Sequence, residues 1–319
     1  PEYRIESSNV FNNPISYEIE IEILKHRLPK DATAESIVKQ LKRVIMMIMS
    51  GLQNSNFPIK YSVQEEIAAE YMNLLWKKNK PERRIRSSDF VGPSSISLEL
   101  VNVSPIDEDS KIPNIRMPYT TTDKADGVRK LMFINKKGTI YLIDVNMNIQ
   151  FTGVLCRNQD YYNTIIDGEH ILHNKLGIFI NQFWAFDIYY KNKIDLRPQP
   201  FTKIEGIDVP ADSKFRLTEL DKAIKNLVLK PVVGEKLSMN FHVKTFYISN
   251  GPEIFKNCQL IIEREKKNLF PYEIDGMIFT PADKGVGSDK VGETLLPMKK
   301  TWRRSFKWKP PEFNTIDFL

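Results

Sequence analysis

The sequence predicts an α+β fold in which antiparallel sheets are flanked by a few helices, and two observations predict it. Strand-like runs come in adjacent pairs joined by short polar turns: 130–135 leads to 139–145 through Lys136-Lys137-Gly138, and 164–172 leads to 177–190 through His173-Asn174-Lys175. Apolar residues recur at three- and four-residue spacing over 34–52, and helices are also predicted at 63–78, 217–229 and 253–267. This mixture of hairpins with a few helices argues for α+β rather than a doubly wound parallel sheet.

Taken in order, Tyr17 to Ile23 alternates isoleucine and acid, so a strand there would put Glu18, Glu20 and Glu22 on one face. Such a row is either a solvated face or a holder of divalent metal and triphosphate, as in tunnel-shaped triphosphatases, and both readings stay open. A tunnel needs about eight strands, which this chain lacks, so that activity is not assigned to it. In the first helix Asp31 or Thr33 caps the start, Gly51 with Asn54 forms the end, and Met46, Met47 and Met49 read as core packing. The second helix enters a basic connection, Lys77 to Arg86, which is the expected domain boundary: 1–85 as an N-terminal segment of acidic strand plus two helices, 86–319 as the main domain. Asp89 to Leu98 is a turn feeding a strand, Pro118 to Thr122 a turn-rich approach, 198–212 a loop, and 241–248, 272–280 and 305–309 are further strands.

A chain of 319 residues with 41% hydrophobic and 27% charged content is ordinary for a soluble globular protein. The formal net charge of +6 and sequence pI near 9.0 fit a polyanionic partner, a nucleotide or nucleic acid. Two cysteines exclude a disulfide framework, and the four histidines show no metal-ligand spacing; His170 and His173 are expected as exposed strand and turn residues. There is no bilayer-length apolar run and no signal peptide, so no membrane partner is expected. A first residue of proline, without an initiator methionine, reads as a piece cut from a longer chain.

The chemistry centres on Lys124-Ala125-Asp126-Gly127-Val128-Arg129, a Lys-x-Asp-Gly-x-Arg run between a turn and a strand. A lysine becomes a nucleophile only when it loses its proton, at an ordinary pKa of about 10.4, and burial or nearby cations lower that value. Three later clusters carry acids or bases at strand spacing: Ile166-Asp167-Gly168-Glu169, Tyr272-Glu273-Ile274-Asp275-Gly276, and Phe306-Lys307-Trp308-Lys309-Pro310. Glu273 and Asp275, two apart, would share a strand face where a divalent cation could relieve their repulsion. Lys307 and Lys309 would share another face and grip phosphate oxygens.

This order of motifs, with the aromatic run Phe183-Trp184-Ala185-Phe186-Asp187 in the middle, resembles the covalent nucleotidyltransferases, which include DNA ligases, RNA ligases and messenger RNA capping guanylyltransferases. Phe90 to Ser97, Glu273-Ile274-Asp275-Gly276 and Lys307-Trp308-Lys309-Pro310 with Asn314 to Phe318 resemble the capping form, most closely that of large DNA viruses of the African swine fever virus type, whose enzymes are multifunctional. The resemblance implies a nucleotidyltransferase fold, the ATP-grasp-like fold of ligases and capping enzymes, over 86–319, with 1–85 as the tail of a triphosphatase module. It implies GTP as substrate, Mg²⁺ or Mn²⁺ as cofactor, and a 5′-diphosphate RNA as acceptor. Lys124 would attack the α-phosphate; Asp126 would belong to the nucleotide site; Arg129 and Glu169 would hold the ribose; and Lys307 and Lys309 would contact the α-phosphate. Asp275, with Glu273, would place the metal. Phe186 would stack on guanine, with Phe179, Phe183 and Trp184 as competitors. Partners would be the other domains of a longer capping polypeptide, namely triphosphatase, oligonucleotide-binding (OB) and methyltransferase modules, in host cytoplasm or virion. The family's OB domain, which follows the last lysine motif, is expected to be absent, because Leu319 comes nine residues after Pro310. An ATP-dependent polynucleotide ligase, or a nucleotide- or RNA-binding module without turnover, are the competing expectations.

Overall fold

The computed structural model describes residues 18–77, 83–107, 109–204, 206 and 213–313. Two compact units divide it, 1–48 and 49–319. In the first, residues 18–24 form no strand, and Ile19, Ile21 and Ile23 are 56%, 41% and 42% exposed. The predicted acidic strand is therefore corrected to irregular chain. Alternation alone does not make a strand without a paired neighbour to take its backbone hydrogen bonds; Tyr17 lies outside the described residues. Helix α1 (Ala34–Gln53) begins where the Thr33 hydroxyl accepts from Ser36 N at 3.2 Å and ends at Asn54, whose φ of 45° makes the left-handed stop. None of its residues is buried, so Met46, Met47 and Met49 are not core packing.

The second unit is built on two sheets. Its strands are β1 (Ser94–Ser97), β2 (Tyr119–Ala125), β3 (Val128–Ile134), β4 (Thr139–Asp144), β5 (Ile149–Cys156), β6 (Thr164–His173) and β7 (Phe179–Lys191). They continue as β8 (Ile194–Asp195), β9 (Leu229–Pro231), β10 (Asn240–Val243), β11 (Tyr247–Ser249), β12 (Ile274–Pro281) and β13 (Thr301–Trp308). One sheet runs β1-β13-β12-β2-β11, and the other runs β10-β7-β6-β3-β4-β5-β9 with β8 beside β7. Pairing is antiparallel except for β1 with β13 and β10 with β7, in keeping with the α+β class.

Helix α2 (Tyr61–Trp76) buries Ile67, Tyr71, Met72, Leu74 and Leu75 in one core with Phe90, Leu131, Phe133 and Tyr189. The expected boundary at 85/86 therefore falls inside the second unit. Helix α3 (Arg216–Asn226) covers the other face of the larger sheet through Leu220 and Ala223, packed with Met132, Ile134 and Phe183. Helix α4 (Ile254–Lys266) closes the smaller sheet through Ile254 and Ile261. All four helices begin and end within two or three residues of their predicted bounds.

Several strands depart from expectation. The approach to the lysine is not a turn but β2, whose Thr120, Thr121 and Thr122 are almost wholly buried. Its threonines are β-branched and pair on both sides, so propensity for a strand prevails over their polarity. The single strand expected at 241–248 is two, β10 in the larger sheet and β11 in the smaller. Strand β5 has no counterpart in the sequence reading. His170 is buried, not exposed, in a bond with the Asn181 side chain at 2.8 Å; burial, reinforced by Lys130, lowers its pKa to about 4. His173 is exposed at the end of β6.

Candidate active site

The Lys-x-Asp-Gly-x-Arg run is the point where the chain passes from one sheet to the other. Lys124 lies near the end of β2 in the smaller sheet, and Arg129 near the start of β3 in the larger. A second crossing lies beside it, where Lys244 follows β10 and precedes β11. The Lys244 ammonium donates to the Asp123 carbonyl at 2.8 Å and to its carboxylate at 3.0 Å, and the Tyr272 hydroxyl donates to the same carboxylate at 3.0 Å. Between the crossings lies a cavity of about 470 Å³, lined by Lys124, Asp126, Arg129, Glu169, Phe186 and Lys244 among others.

Two bulges set side chains in or beside this cavity. Ile274 pairs with Ala125 and Met277 with Asp123, so Asp275 and Gly276 together stand opposite Lys124. The Asp275 carboxylate then accepts from Lys124 Nζ at 2.6 and 2.9 Å and pairs with Lys309 Nζ at 2.6 Å. Gly276 has φ +147°, and a Cβ there would run into the Trp308 carbonyl. Burial works against the Asp275 charge, but the hydrogen bonds from Lys124 and Lys309 outweigh it and hold the carboxyl below the usual range. In the larger sheet Asp167 pairs with Asp187 and Gly168 with Ala185, leaving Phe186 as the extra residue of a second bulge. Phe186 lines the cavity, whereas Phe183 is fully buried in the core, Phe179 is exposed and Trp184 packs on Tyr272.

Arg129 is held from three sides. Nε and one terminal nitrogen reach Asp167 at 3.1 and 2.5 Å, the other reaches the Pro93 carbonyl at 2.7 Å, and the guanidinium lies between the Phe90 and Phe186 rings, 5.4 and 5.6 Å from their centroids. Gly92 permits this, since a Cβ there would lie 2.5 Å from the guanidinium. Burial opposes the Arg129 charge, yet Asp167 overcomes it and its pKa is raised. Three of the five guanidinium N–H groups are used by these bonds, leaving two for another ligand. Burial pushes Glu169 up to about 7, against the pull of Lys244, Arg129 and Lys124.

The expected residues therefore divide. Lys124, Asp126, Arg129, Glu169 and Phe186 line one cavity, and Asp275 with Lys309 joins them through Lys124. Lys307 stands opposite Ile278, which lines the cavity, and so lies on the cavity face, while Phe306 and Trp308 turn to the core. Glu273 precedes β12 rather than sharing a strand face with Asp275; it is exposed and enters only through its carbonyl, which accepts from Asp126 N at 2.8 Å. Lys244 and Asp123 were missed. The one signal was a lysine inside an otherwise strand-like run, His242-Val243-Lys244-Thr245. Asp167, which fixes Arg129, stood in a quoted motif without a role.

Residues 52–310 match the family model described as mRNA capping enzyme, catalytic domain. The chain belongs to the mRNA capping enzyme family. This capping-family chain is 24% identical to a probable mRNA-capping enzyme of Acanthamoeba polyphaga mimivirus over 99% of its own length and 27% of the relative's. It is 26% identical to the mRNA-capping enzyme of African swine fever virus over 95% of its length and 29% of that enzyme, and 23% identical to that of Danio rerio over 72% and 34%. The chain thus spans about a third or less of the curated relatives it matches. Among solved structures, mycobacterial DNA ligase D complexed with ATP and MES aligns over 69% of this chain and 60% of its own, with 15% identity and a TM-score of 0.38.

Proposed function

We propose that this capping-family domain is an mRNA guanylyltransferase, and that the observation carrying this reading is Lys124 on the wall of a nucleotide-sized cavity with Asp275 opposite it. Lys124 Nζ, once deprotonated, attacks the α-phosphorus of GTP. An N–P bond forms, the bond to the bridging oxygen breaks, and pyrophosphate leaves with that electron pair. The 5′-diphosphate oxygen of an RNA then attacks the same phosphorus, which releases the lysine and completes the cap.

Asp275 fixes the Nζ that must reach phosphorus; positioning of this kind accounts for much of the acceleration in phosphoryl-type transfers. Lys309 and Lys307 would meet the charge that develops on phosphate oxygens, a role supported by the Lys309 contact with Asp275 and by Lys307 standing opposite Ile278. Arg129 and Glu169 hold the ribose, Asp126 closes the rim, and Phe186 offers a face on which guanine stacks.

Among the described residues no group of three or more His, Cys, Asp or Glu side chains is arranged to hold a metal ion. Asp275 is engaged by two ammonium groups and Glu273 is exposed, so the residues present do not by themselves fit a resident Mg²⁺ or Mn²⁺. A divalent ion would enter as part of the nucleotide substrate. No helix among the described residues is long and apolar enough to cross a membrane, and host cytoplasm is the proposed setting. Of residues 1–85, only the part before α2, which packs in the core of the second unit, is proposed as the tail of a triphosphatase module, within a polypeptide proposed to carry further capping domains.

The test is incubation with α-labelled GTP or ATP, divalent metal and pyrophosphatase, followed by denaturing electrophoresis and a chase with 5′-diphosphate RNA. Label from GTP alone that moves to RNA supports the proposal. Label from ATP alone would make the chain a ligase.

A further inference from the structure

The basic connection that follows α2 begins at Lys77, which lines a second cavity. This cavity, of about 330 Å³, is bordered by Glu70, Asn73, Lys77, Lys136, Asn163 and Lys193. Three lysines and one glutamate thus share its lining, and one of the lysines, Lys136, pairs with the glutamate. Lys136 lies 3.1 Å from Glu70, and among the described residues neither Lys77 nor Lys193 has an acidic partner within ion-pair distance. Glu70 Oε1 has Lys136 as its ion-pair partner, whereas Oε2, also out of solvent contact, has no partner within the described residues. A buried acceptor without a donor is costly, and a ligand that donates would relieve it. Lys77, Asn163 and Lys193 also hold φ of 50°, 52° and 68°. These are the conformations their turns require: Asn192 and Lys193 form the two-residue link between β7 and β8, and Lys77 caps α2.

The position relative to the first cavity narrows the ligand. Arg129, Leu131 and Phe133 alternate onto one face of β3, and α2 packs on that face through Leu131 and Phe133. Lys136 lies just beyond the far end of β3, about 20 Å from Arg129 at about 3.3 Å per residue. A ligand with several phosphates would meet the separate lysines, and a hydroxyl donor would reach Glu70 Oε2.

We propose that this second cavity docks single-stranded RNA, with Lys77 and Lys193 meeting successive phosphates and the Glu70 carboxylate accepting from a ribose 2′-hydroxyl. It is where an acceptor strand is held several nucleotides from its reacting 5′ end; that last clause rests on the guanylyltransferase reading, while the binding itself does not. The 2′-hydroxyl is the group that separates RNA from DNA at such a contact.

The experiment measures fluorescence anisotropy of a labelled single-stranded RNA of about twenty nucleotides, and of DNA of the same sequence, against the full chain over a range of salt. The Lys77→Gln/Lys193→Gln variant should bind the RNA about ten-fold more weakly, and its log–log salt slope should be shallower by about 1.4, two phosphates at about 0.7 each. Lys77→Arg/Lys193→Arg should restore both, which separates loss of charge from misfolding. Wild type should prefer RNA to DNA by about five-fold, and Glu70→Ala should erase the preference. Unchanged affinity and slope in the Gln variant would overturn the site, and equal affinity for DNA would overturn RNA as its ligand. Lysyl-GMP formation should be the same in wild type and the Gln variant. If wild type forms none, the catalytic reading fails while the binding result still decides this site.

Discussion

Lys124 and Asp275 face each other across a β-bulge, with the lysine Nζ 2.6 and 2.9 Å from the two carboxylate oxygens. They are far apart in sequence and adjacent because the extra residue in β12 turns the carboxylate onto the strand that carries the lysine. Asp275→Asn should therefore lower lysyl-GMP formation by about 100-fold, the scale of a nucleophile misplaced by about an ångström. The folded-state pKa of Asp275 is depressed, so its stabilisation is fully present above the ordinary value of 3.8 and is lost as pH falls through the depressed one. Urea melts should separate wild type from the variant at pH 7 and bring them together in strong acid.

Arg129 is the counter-charge of a buried acid. Asp167 is fully buried and also accepts from the Tyr189 hydroxyl at 2.5 Å. Arg129→Ala would leave that carboxylate unpaired and should cost about 3–5 kcal/mol of unfolding free energy in urea melts. Arg129→Lys should recover only part, since one ammonium cannot span both Asp167 oxygens and the Pro93 carbonyl.

Phe186 and Phe183 should separate binding from folding. Phe186→Ala should weaken GTP binding in calorimetry by about 10- to 100-fold, the loss of one base–aromatic stack, with little change in Tm. Phe183 is fully buried against Phe241, and its truncation should instead cost about 3–5 kcal/mol of stability.

The neighbours Glu169 and His170 should push stability in opposite directions with pH. Glu169 is raised to about 7 in the folded state, so between about 4.5 and 7 the native protein holds the extra proton and this group's contribution falls as pH rises. Glu169→Gln should remove a penalty of up to about 3 kcal/mol at pH 8 and change little at pH 4.5. His170 is lowered to about 4, so its contribution is present above 6.5 and is lost as pH falls toward 4. Urea melts of His170→Gln should show a smaller loss of stability over that acidic interval.

The sequence carried the helices, the hairpin β3–β4, the pair β6–β7 and the order of the motifs, because period and turn chemistry are local properties. Lys124, Arg129, Glu169 and Phe186 could be named in advance and do line one cavity. What stayed hidden was non-local. The bulges at Asp275 and Phe186 exist only in the pairing with a partner strand, and the passage of 241–248 from one sheet to the other has no signature in its residues. Lys244 was passed over for that reason. The alternation of Tyr17 to Ile23 misled in the opposite sense, since residues 18–24 satisfy the period of a strand yet pair with no strand among the described residues.

The most direct measurement is peptide mapping of the denatured protein after reaction with GTP, under alkaline conditions that preserve a phosphoamide bond. The cavity holds Lys124 and Lys244, with Lys309 joined to it through Asp275, so the location of the adduct discriminates among real alternatives. GMP on the peptide containing Lys124, and none on Lys244 or Lys309, is the predicted result. An adduct on either of the other lysines, or one that persists in Lys124→Ala, would contradict it.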